Sequence, residues 1–80
     1  MKQGFTFADE EGAFHSVEFS LLQDEGEIRT YGIQAQMKKD GVEEESASVK
    51  ERFITREEAE ATIQMLCKYQ VMPCTLKDVI

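Results

Sequence analysis

The sequence of 80 residues contains no tryptophan, one proline, one histidine and two cysteines. Cys67 and Cys74 are too few and too close together to define the disulfide framework of a secreted domain. Their separation is not a zinc-binding or thioredoxin-type spacing either. We therefore expect two half-buried thiols in a reducing compartment, with a redox pair as the less favoured alternative.

The chain also lacks long apolar runs. Residues 1–7 do not form the apolar stretch of a signal peptide, and no segment approaches the roughly 20 apolar residues that span a bilayer. From these absences we expect a cytoplasmic protein with no membrane partner.

Basic residues are scarce, because nine of them stand against sixteen acidic ones and the formal net charge is −7. The longest basic run is Lys38-Lys39, and Asp40 follows it directly. A phosphate backbone would be repelled by such a chain. We therefore expect no nucleic-acid partner.

Groups that could carry chemistry are few. The single histidine, His15, falls on the apolar face of a predicted strand, where a half-buried structural role is favoured over a dyad with a cysteine. Two acidic runs, 9–11 and 43–45, lack the ligand spacing of a calcium loop. The glycines occur singly, without a phosphate-binding loop. The sequence thus predicts a non-enzymatic protein with no catalytic residue, no metal site and no cofactor.

The residues that are present have a globular composition. Hydrophobic residues make up 41% of the chain and charged residues 31%. A length of 80 residues lies near the lower limit for one hydrophobic core without disulfides or metals. We therefore expect one domain over residues 1–80.

Apolar and polar side chains alternate along the first two thirds of the chain, which is typical of strands. The alternation is clear over residues 14–22 and 28–37, short at 5–7, and weak over 42–54, where Glu51 interrupts it. The apolar face of the two clear strands contains His15, Val17, Phe19, Leu21, Tyr31, Ile33, Ala35 and Met37. Turns are predicted at residues 9–12, 23–26 and 39–41. Short turns make neighbouring strands antiparallel, so we expect a meander of three to four strands, with 43–45 on a solvated edge.

A helix is predicted after the last strand, because residues 55–58 have the form of a capping box that starts at Thr55. Ile54 and Ala59 could form a hydrophobic staple across this cap. The apolar stripe of the helix is expected to contain Ala59, Thr62, Ile63, Leu66, Cys67 and Gln70. Pro73 must end the helix. Thr75 repeats the capping signature, which predicts a short terminal helical turn with Leu76 and Ile80 packed against the helix. The fold class is therefore α+β, with the sheet packed against one C-terminal helix.

Three sets of residues in the carboxyl-terminal half form a pattern: Tyr31-Gly32-Ile33, Thr55-Arg56-Glu57-Glu58-Ala59, and Pro73, Leu76, Asp78 and Val79. In these residues the chain resembles a family of short bacterial proteins of unknown function, and the resemblance covers about residues 28–80. It implies an antiparallel meander with one helix laid across it. It implies no activity, substrate or catalytic residue.

The favoured function is that of a small interaction or regulatory module, acting as a homodimer or bound to another protein. One helix cannot bury Met37, Met65, Tyr69, Val71 and Met72 together, and an exposed apolar patch marks an interface. We expect Met65, Tyr69 and Met72 to contribute to it.

Two alternatives remain open. The first is a small-molecule-binding protein with a pocket between sheet and helix, reached by His15, Tyr31 and Cys67. The second is an acidic mimic of a nucleic acid. It has less support, because such a mimic needs carboxylates spread along one face, whereas here they cluster mainly in predicted turns.

Overall fold

The computed structural model describes residues 2–80 and shows an antiparallel sheet followed by helices. The elements are β1 (Lys2–Ala8), β2 (Phe14–Glu25), β3 (Arg29–Lys39), β4 (Val42–Phe53), α1 (Arg56–Lys68), a 3-10 helix (Pro73–Thr75) and α2 (Leu76–Val79). The strands lie in the order β1-β2-β3-β4 and every neighbouring pair is antiparallel. The predicted α+β meander is confirmed, with four strands, one main helix and a short C-terminal helical turn.

The hydrophobic core lies between one face of the sheet and the helices. Its fully or almost fully buried side chains are Val17, Phe19, Ile33, Ala35, Ala59, Ile63, Leu66 and Leu76. The strand residues in this set belong to the predicted apolar face, and the polar side chains between them lie on the opposite face of the sheet. Burying a leucine or isoleucine of this kind stabilises the fold by roughly 1.5–3 kcal/mol. We call the helix-covered face of the sheet the inner face and the other the outer face.

The β2–β3 hairpin is longer than the sequence predicts. A turn at residues 23–26 is wrong, because β2 continues to Glu25 and pairs with Arg29, which leaves residues 26–28 as the loop. Among residues 2–80, β1 pairs with β2 as far as Ser20, and β4 pairs with β3 as far as Tyr31. Residues 24–30 therefore project as a two-stranded tip beyond the paired part of the sheet. Both faces of this tip meet water, so its polar side chains are compatible with strand structure.

Strand β4 contains two irregularities in its pairing with β3. At the first, Glu44 is the extra residue between the pairs Met37–Glu45 and Lys38–Glu43. At the second, Glu51 adopts a positive φ of 53°. The predicted interruption at Glu51 is thus a β-bulge, and such bulges bend the strand that carries them.

Two glycines allow close approach between neighbouring strands. A Cβ atom at Gly32 would overlap the carbonyl oxygen of Val49, which lies next to the bulge on β4. A Cβ atom at Gly4 would overlap the carbonyl oxygen of Val17 in the same way. Any side chain at either position would force the two backbones apart.

Helix α1 begins as predicted and ends earlier than predicted. The hydroxyl oxygen of Thr55 accepts a hydrogen bond from the amide of Glu58 at 3.3 Å, which caps the first turn. Gln70, expected on the apolar stripe, is instead exposed with a φ of 51°, because the chain leaves the helix after Lys68. The expected staple does not form, since 74% of Ile54 is exposed.

The last residues fold back onto the core. The amide of Val71 donates to the carbonyl of Leu66 at 2.9 Å, and the 3-10 helix then starts at Pro73. Thr75 does not cap α2, because its hydroxyl donates to the carbonyl of Met72 at 3.0 Å instead. Leu76 is fully buried, as expected. Within residues 2–80, no helix has both the length and the apolar character needed to cross a membrane.

Candidate functional site

The three residues predicted to form an interface lie at the C-terminal end of α1 and in the segment after it. Met65 is 39% exposed and Tyr69 is 67% exposed, four positions further along the chain. Met72 is half-buried and packs against the core cluster. We call Met65, Tyr69 and Met72 the α1 surface. The structure leaves the first two open to solvent, and Met72 has a partly structural role.

The position of Tyr69 follows from the way α1 ends. Tyr69 is the C-cap residue, and its amide donates to the carbonyl of Met65 at 3.0 Å. The ammonium group of Lys68 lies 5.6 Å from the centre of the Tyr69 ring, within cation–π range. The backbone at Tyr69 is therefore fixed, while most of its side chain stays in water.

The α1 surface lies in a segment of the chain that has no carboxylate side chain. Residues 61–77 contain two lysines and no acidic residue, which gives a local charge of +2. The remaining residues contain seven basic and sixteen acidic side chains, which gives −9 and accounts for the total of −7. An acidic partner would therefore meet less repulsion at this surface than the total charge implies.

The other residues considered for the interface are placed differently. Met37 and Val71 are half-buried and pack against the core cluster, so they add little exposed apolar area. Five further apolar side chains are exposed: Phe14, Ile28, Val42, Ile54 and Val79. They lie at the starts of β2 and β4, in the hairpin loop, between β4 and α1, and in α2.

His15 is held between two carboxylates on the inner face. Its Nε2 atom lies 2.8 Å from Oδ2 of Asp9, and its Nδ1 atom lies 3.2 Å from Oε2 of Glu44. The imidazole ring stacks on Phe7, with ring centres 4.9 Å apart and planes 8° apart. His15 is only 9% exposed, in agreement with the predicted structural role. We call Asp9, His15 and Glu44 the histidine clamp.

The two carboxylates reach His15 because of local backbone features. The Oδ1 atom of Asp9 accepts hydrogen bonds from the amides of Glu11 and Ala13, which fixes the β1–β2 turn and leaves Oδ2 free for His15. Glu44 is the extra residue in β4, so its side chain departs from the regular alternation of the strand. Neither Asp9 nor Glu44 was predicted from the sequence to contact His15. The Asp-containing turn was a usable signal for Asp9, but the bulge at Glu44 left none.

Both ring nitrogens of His15 face carboxylate oxygens, an arrangement that favours the imidazolium form because only that form donates from both nitrogens. The hydrogen bond with Asp9 raises the pKa of His15, burial lowers it, and the hydrogen bond with Glu44 raises it further. The same Asp9–His15 bond lowers the pKa of Asp9. Lys39 on β3 pairs directly with His15 on β2, which places a cationic residue beside the clamp.

These two pKa shifts determine how the stability that the clamp contributes changes with pH. The His15 contribution is complete below the ordinary pKa of 6.5 and is lost as the pH rises through the folded-state pKa. The Asp9 contribution is complete above its ordinary pKa of 3.8 and is lost as the pH falls through its lowered value. The clamp is therefore strongest between these limits.

The histidine clamp connects the β1–β2 turn to β4, and below the raised pKa of His15 it leaves no nitrogen lone pair on the ring. An imidazolium with both protons engaged cannot accept a proton or bind a metal ion. Among residues 2–80, no group of three or more His, Cys, Asp or Glu side chains is arranged to hold a metal ion. The geometry of the clamp is that of a structural tie.

The three residues of the alternative pocket are not brought together. His15 is paired with Lys39, eight positions along β3 from Tyr31, which is about 27 Å at 3.4 Å per residue. Cys67 is half-buried on α1, and burial raises the pKa of its thiol. Cys67 and Cys74 are both free thiols, and the expected half-burial is wrong for Cys74, which is exposed.

A depression of about 330 Å³ lies on the outer face instead. It is lined by Gly4, Phe5, Thr6, Ser16, Val17, Glu18, Gln36 and Lys38. Its polar side chains come from three neighbouring strands, β1, β2 and β3.

Comparison with known proteins gives a family and no characterised relative. No curated protein and no solved structure matches the chain. A family described as a family of unknown function, DUF6514, matches residues 5–80, which includes the second half of β1, the other three strands and all helices. This match extends the predicted resemblance toward the amino terminus, and the chain belongs to the DUF6514 family.

Proposed function

We propose that this protein is a small non-enzymatic interaction module that binds another protein through the α1 surface. The observation that carries the proposal is the exposure of Tyr69 and Met65, 67% and 39%, within residues 61–77, which contain no acidic side chain. Tyrosine is enriched among the residues that dominate binding energy at interfaces. The partner expected here presents apolar side chains with carboxylates around them, which would face Lys68 and Lys77.

The local structure supports a binding role for Tyr69 rather than a folding role. Ala59, Ile63 and Leu66 hold α1 on the sheet, while Tyr69 adds little to the buried core. The surface is thus preformed, which lowers the entropy cost of binding. A residue that is exposed in this way can be changed without loss of the fold.

Site-specific photocrosslinking in the cells that make the protein tests this proposal. A benzophenone side chain is introduced at exposed position 64 of α1, next to Met65, and at exposed position 48 on β4 as a control. We expect a discrete heavier adduct from position 64 and none from position 48. The adduct should disappear when Tyr69→Glu is added and persist when Gln34→Glu is added, since Gln34 is exposed on the sheet and receives the same charge.

The outcomes separate the possible occupants of the surface. An adduct of twice the chain mass would place a second copy on the α1 surface. Light scattering over a tenfold concentration range, for wild type and Tyr69→Glu, would then show a dimer that the substitution dissociates. If position 64 gives no adduct, or an adduct that Tyr69→Glu leaves intact, the proposal is wrong.

Binding of a small molecule is the second candidate, and the depression of about 330 Å³ is the observation that favours it. Thr6, Ser16 and Gln36 supply neutral polar groups there, and Glu18 and Lys38 supply opposite charges. A small polar molecule with both donors and acceptors fits this lining. Chemical-shift changes at the Gln36 side-chain amide during a small-molecule screen would support this candidate, and shifts confined to α1 would exclude this location.

A further inference from the structure

The sheet has two open edges, and they differ in charge and regularity. β4 carries charged side chains at Glu43, Glu44, Glu45, Lys50, Glu51 and Arg52, and its ladder is interrupted twice. β1 carries one charge, on Lys2, and pairs with β2 without interruption over all seven residues. Charges and bulges are the features that protect an edge from pairing with another strand. β4 is thus a protected edge, whereas β1 is suited to accept a strand.

The core is incompletely covered along β1. Gln3, Phe5 and Phe7 point to the inner face, and each is only half-buried. On β2, directly across from Phe5, Val17 is 1% exposed, and Phe19 is fully buried. The apolar layer therefore ends at β1 with two phenylalanines partly in water, and a further strand beside β1 would extend it.

We propose that β1 pairs with β1 of a second copy of this chain, in antiparallel orientation and centred on Phe5. This is the symmetric register in which all seven residues of β1 find a partner. It places Phe5 opposite Phe5, and Lys2 opposite Ala8, so no like charges face each other. Residues 1–8 contain no acidic side chain. The electrostatic repulsion between two β1 edges is therefore smaller than the total charge of −7 on each chain implies.

The symmetry of this pairing limits the assembly to two chains. An isologous contact uses the same patch on both copies and closes on itself. The product is one continuous sheet of eight strands with a protected β4 at each end. This inference concerns a different surface from the proposed function, and either can be wrong without the other.

A pair of substitutions at Ala8 tests the register through charge. Ala8 is exposed, and in the proposed dimer it lies opposite Lys2 of the other copy. Ala8→Lys creates two like-charge pairs per dimer and Ala8→Glu creates two opposite-charge pairs. From the size of cross-strand charge interactions, we expect the dissociation constant of Ala8→Lys to exceed that of Ala8→Glu by about tenfold. It is measured by sedimentation or light scattering.

The sign of this difference separates β1 pairing from general electrostatics. Ala8→Lys reduces the net charge of each chain and Ala8→Glu increases it, so repulsion between whole chains alone would make the lysine variant the tighter dimer. Tighter association of Ala8→Lys, or a monomeric wild type at several hundred micromolar, would overturn the proposal.

Disulfide trapping provides a second test that does not depend on charge. In a Cys74→Ser background, Lys2→Cys and Ala8→Cys chains are oxidised separately and as a mixture. Directly opposed antiparallel residues have Cα atoms about 4.5–5.5 Å apart, within the range that a disulfide bridges. We expect a covalent dimer from the mixture and none from either variant alone.

The control for trapping uses the other edge. Ser46→Cys and Ser48→Cys on β4 would be opposed in a symmetric β4 pair, and their mixture should give no covalent dimer. Crosslinking of the β4 pair, or equal crosslinking of single and mixed β1 variants, would contradict the inference. Tyr69→Glu should leave the β1 dimer intact, and its dissociation by Tyr69→Glu would assign the dimer to α1.

Discussion

Replacement of Leu76 by alanine tests whether the last residues of the chain are part of the hydrophobic core. Leu76 is fully buried in the same cluster as Ile63 and Leu66, although it lies only four positions before Ile80. A buried Leu→Ala change costs about 2–5 kcal/mol, because it removes apolar contacts and leaves a cavity. A domain of this length has a total stability of about 4–12 kcal/mol. Leu76→Ala should therefore remove about 3 kcal/mol, a large fraction of the total.

Urea unfolding followed by circular dichroism measures this loss as a lower midpoint at an unchanged slope. Val79→Ala is the matched control, since Val79 lies in the same short helix but is 46% exposed, and its cost should stay below about 1 kcal/mol. A loss below about 1 kcal/mol for Leu76→Ala, with the slope preserved, would show that residues 73–80 are not an integral part of the core. Met72 would then lose the packing that holds it in the α1 surface.

Three further predictions concern a cap, a close contact and the histidine clamp. Thr55→Ala should reduce the free energy of unfolding by about 1 kcal/mol, whereas Thr55→Ser should preserve most of it. Gly32→Ala should lower the urea midpoint more than Gly26→Ala, since only a Cβ atom at Gly32 meets the backbone of β4. An NMR titration should give His15 a pKa above 6.5, and the stability advantage of wild type over His15→Gln should shrink as the pH rises through it. A pKa of His15 below 6.5 would contradict the imidazolium assignment.

The sequence predicts the parts of the fold that depend on local pattern. Period-two alternation is sufficient to place Val17, Phe19 and Ile33 on one buried face, because each strand is covered on one side only. The capping box identifies the start of α1 because it depends on neighbouring residues alone. These features hold whichever strands lie beside them.

Features that depend on pairing between strands were not predictable in the same way. Glu44 reaches His15 only because β4 has an extra residue there, and no local pattern marks that position. Gln70 has the right spacing for the stripe of α1, but the helix ends two residues earlier as the chain turns toward the core. In the sequence, the polar tip of the β2–β3 hairpin resembles a turn. Both of its faces are in water, so apolar and polar side chains do not alternate there. The exposure of Tyr69 was anticipated from the excess of apolar residues, while the half-burial of Met72 required the fold.

The projecting tip of the β2–β3 hairpin implies that the chain can be divided without dismantling the sheet. A cleavage between residues 26 and 28 would separate β1 and β2 from the rest of the molecule. The two pieces would still share the β2–β3 ladder from the Gln23–Tyr31 pair to the His15–Lys39 pair, together with the core beneath it. Fragments made separately should therefore reassemble when mixed, and the loop at 26–28 is the natural place to insert a label or a second domain.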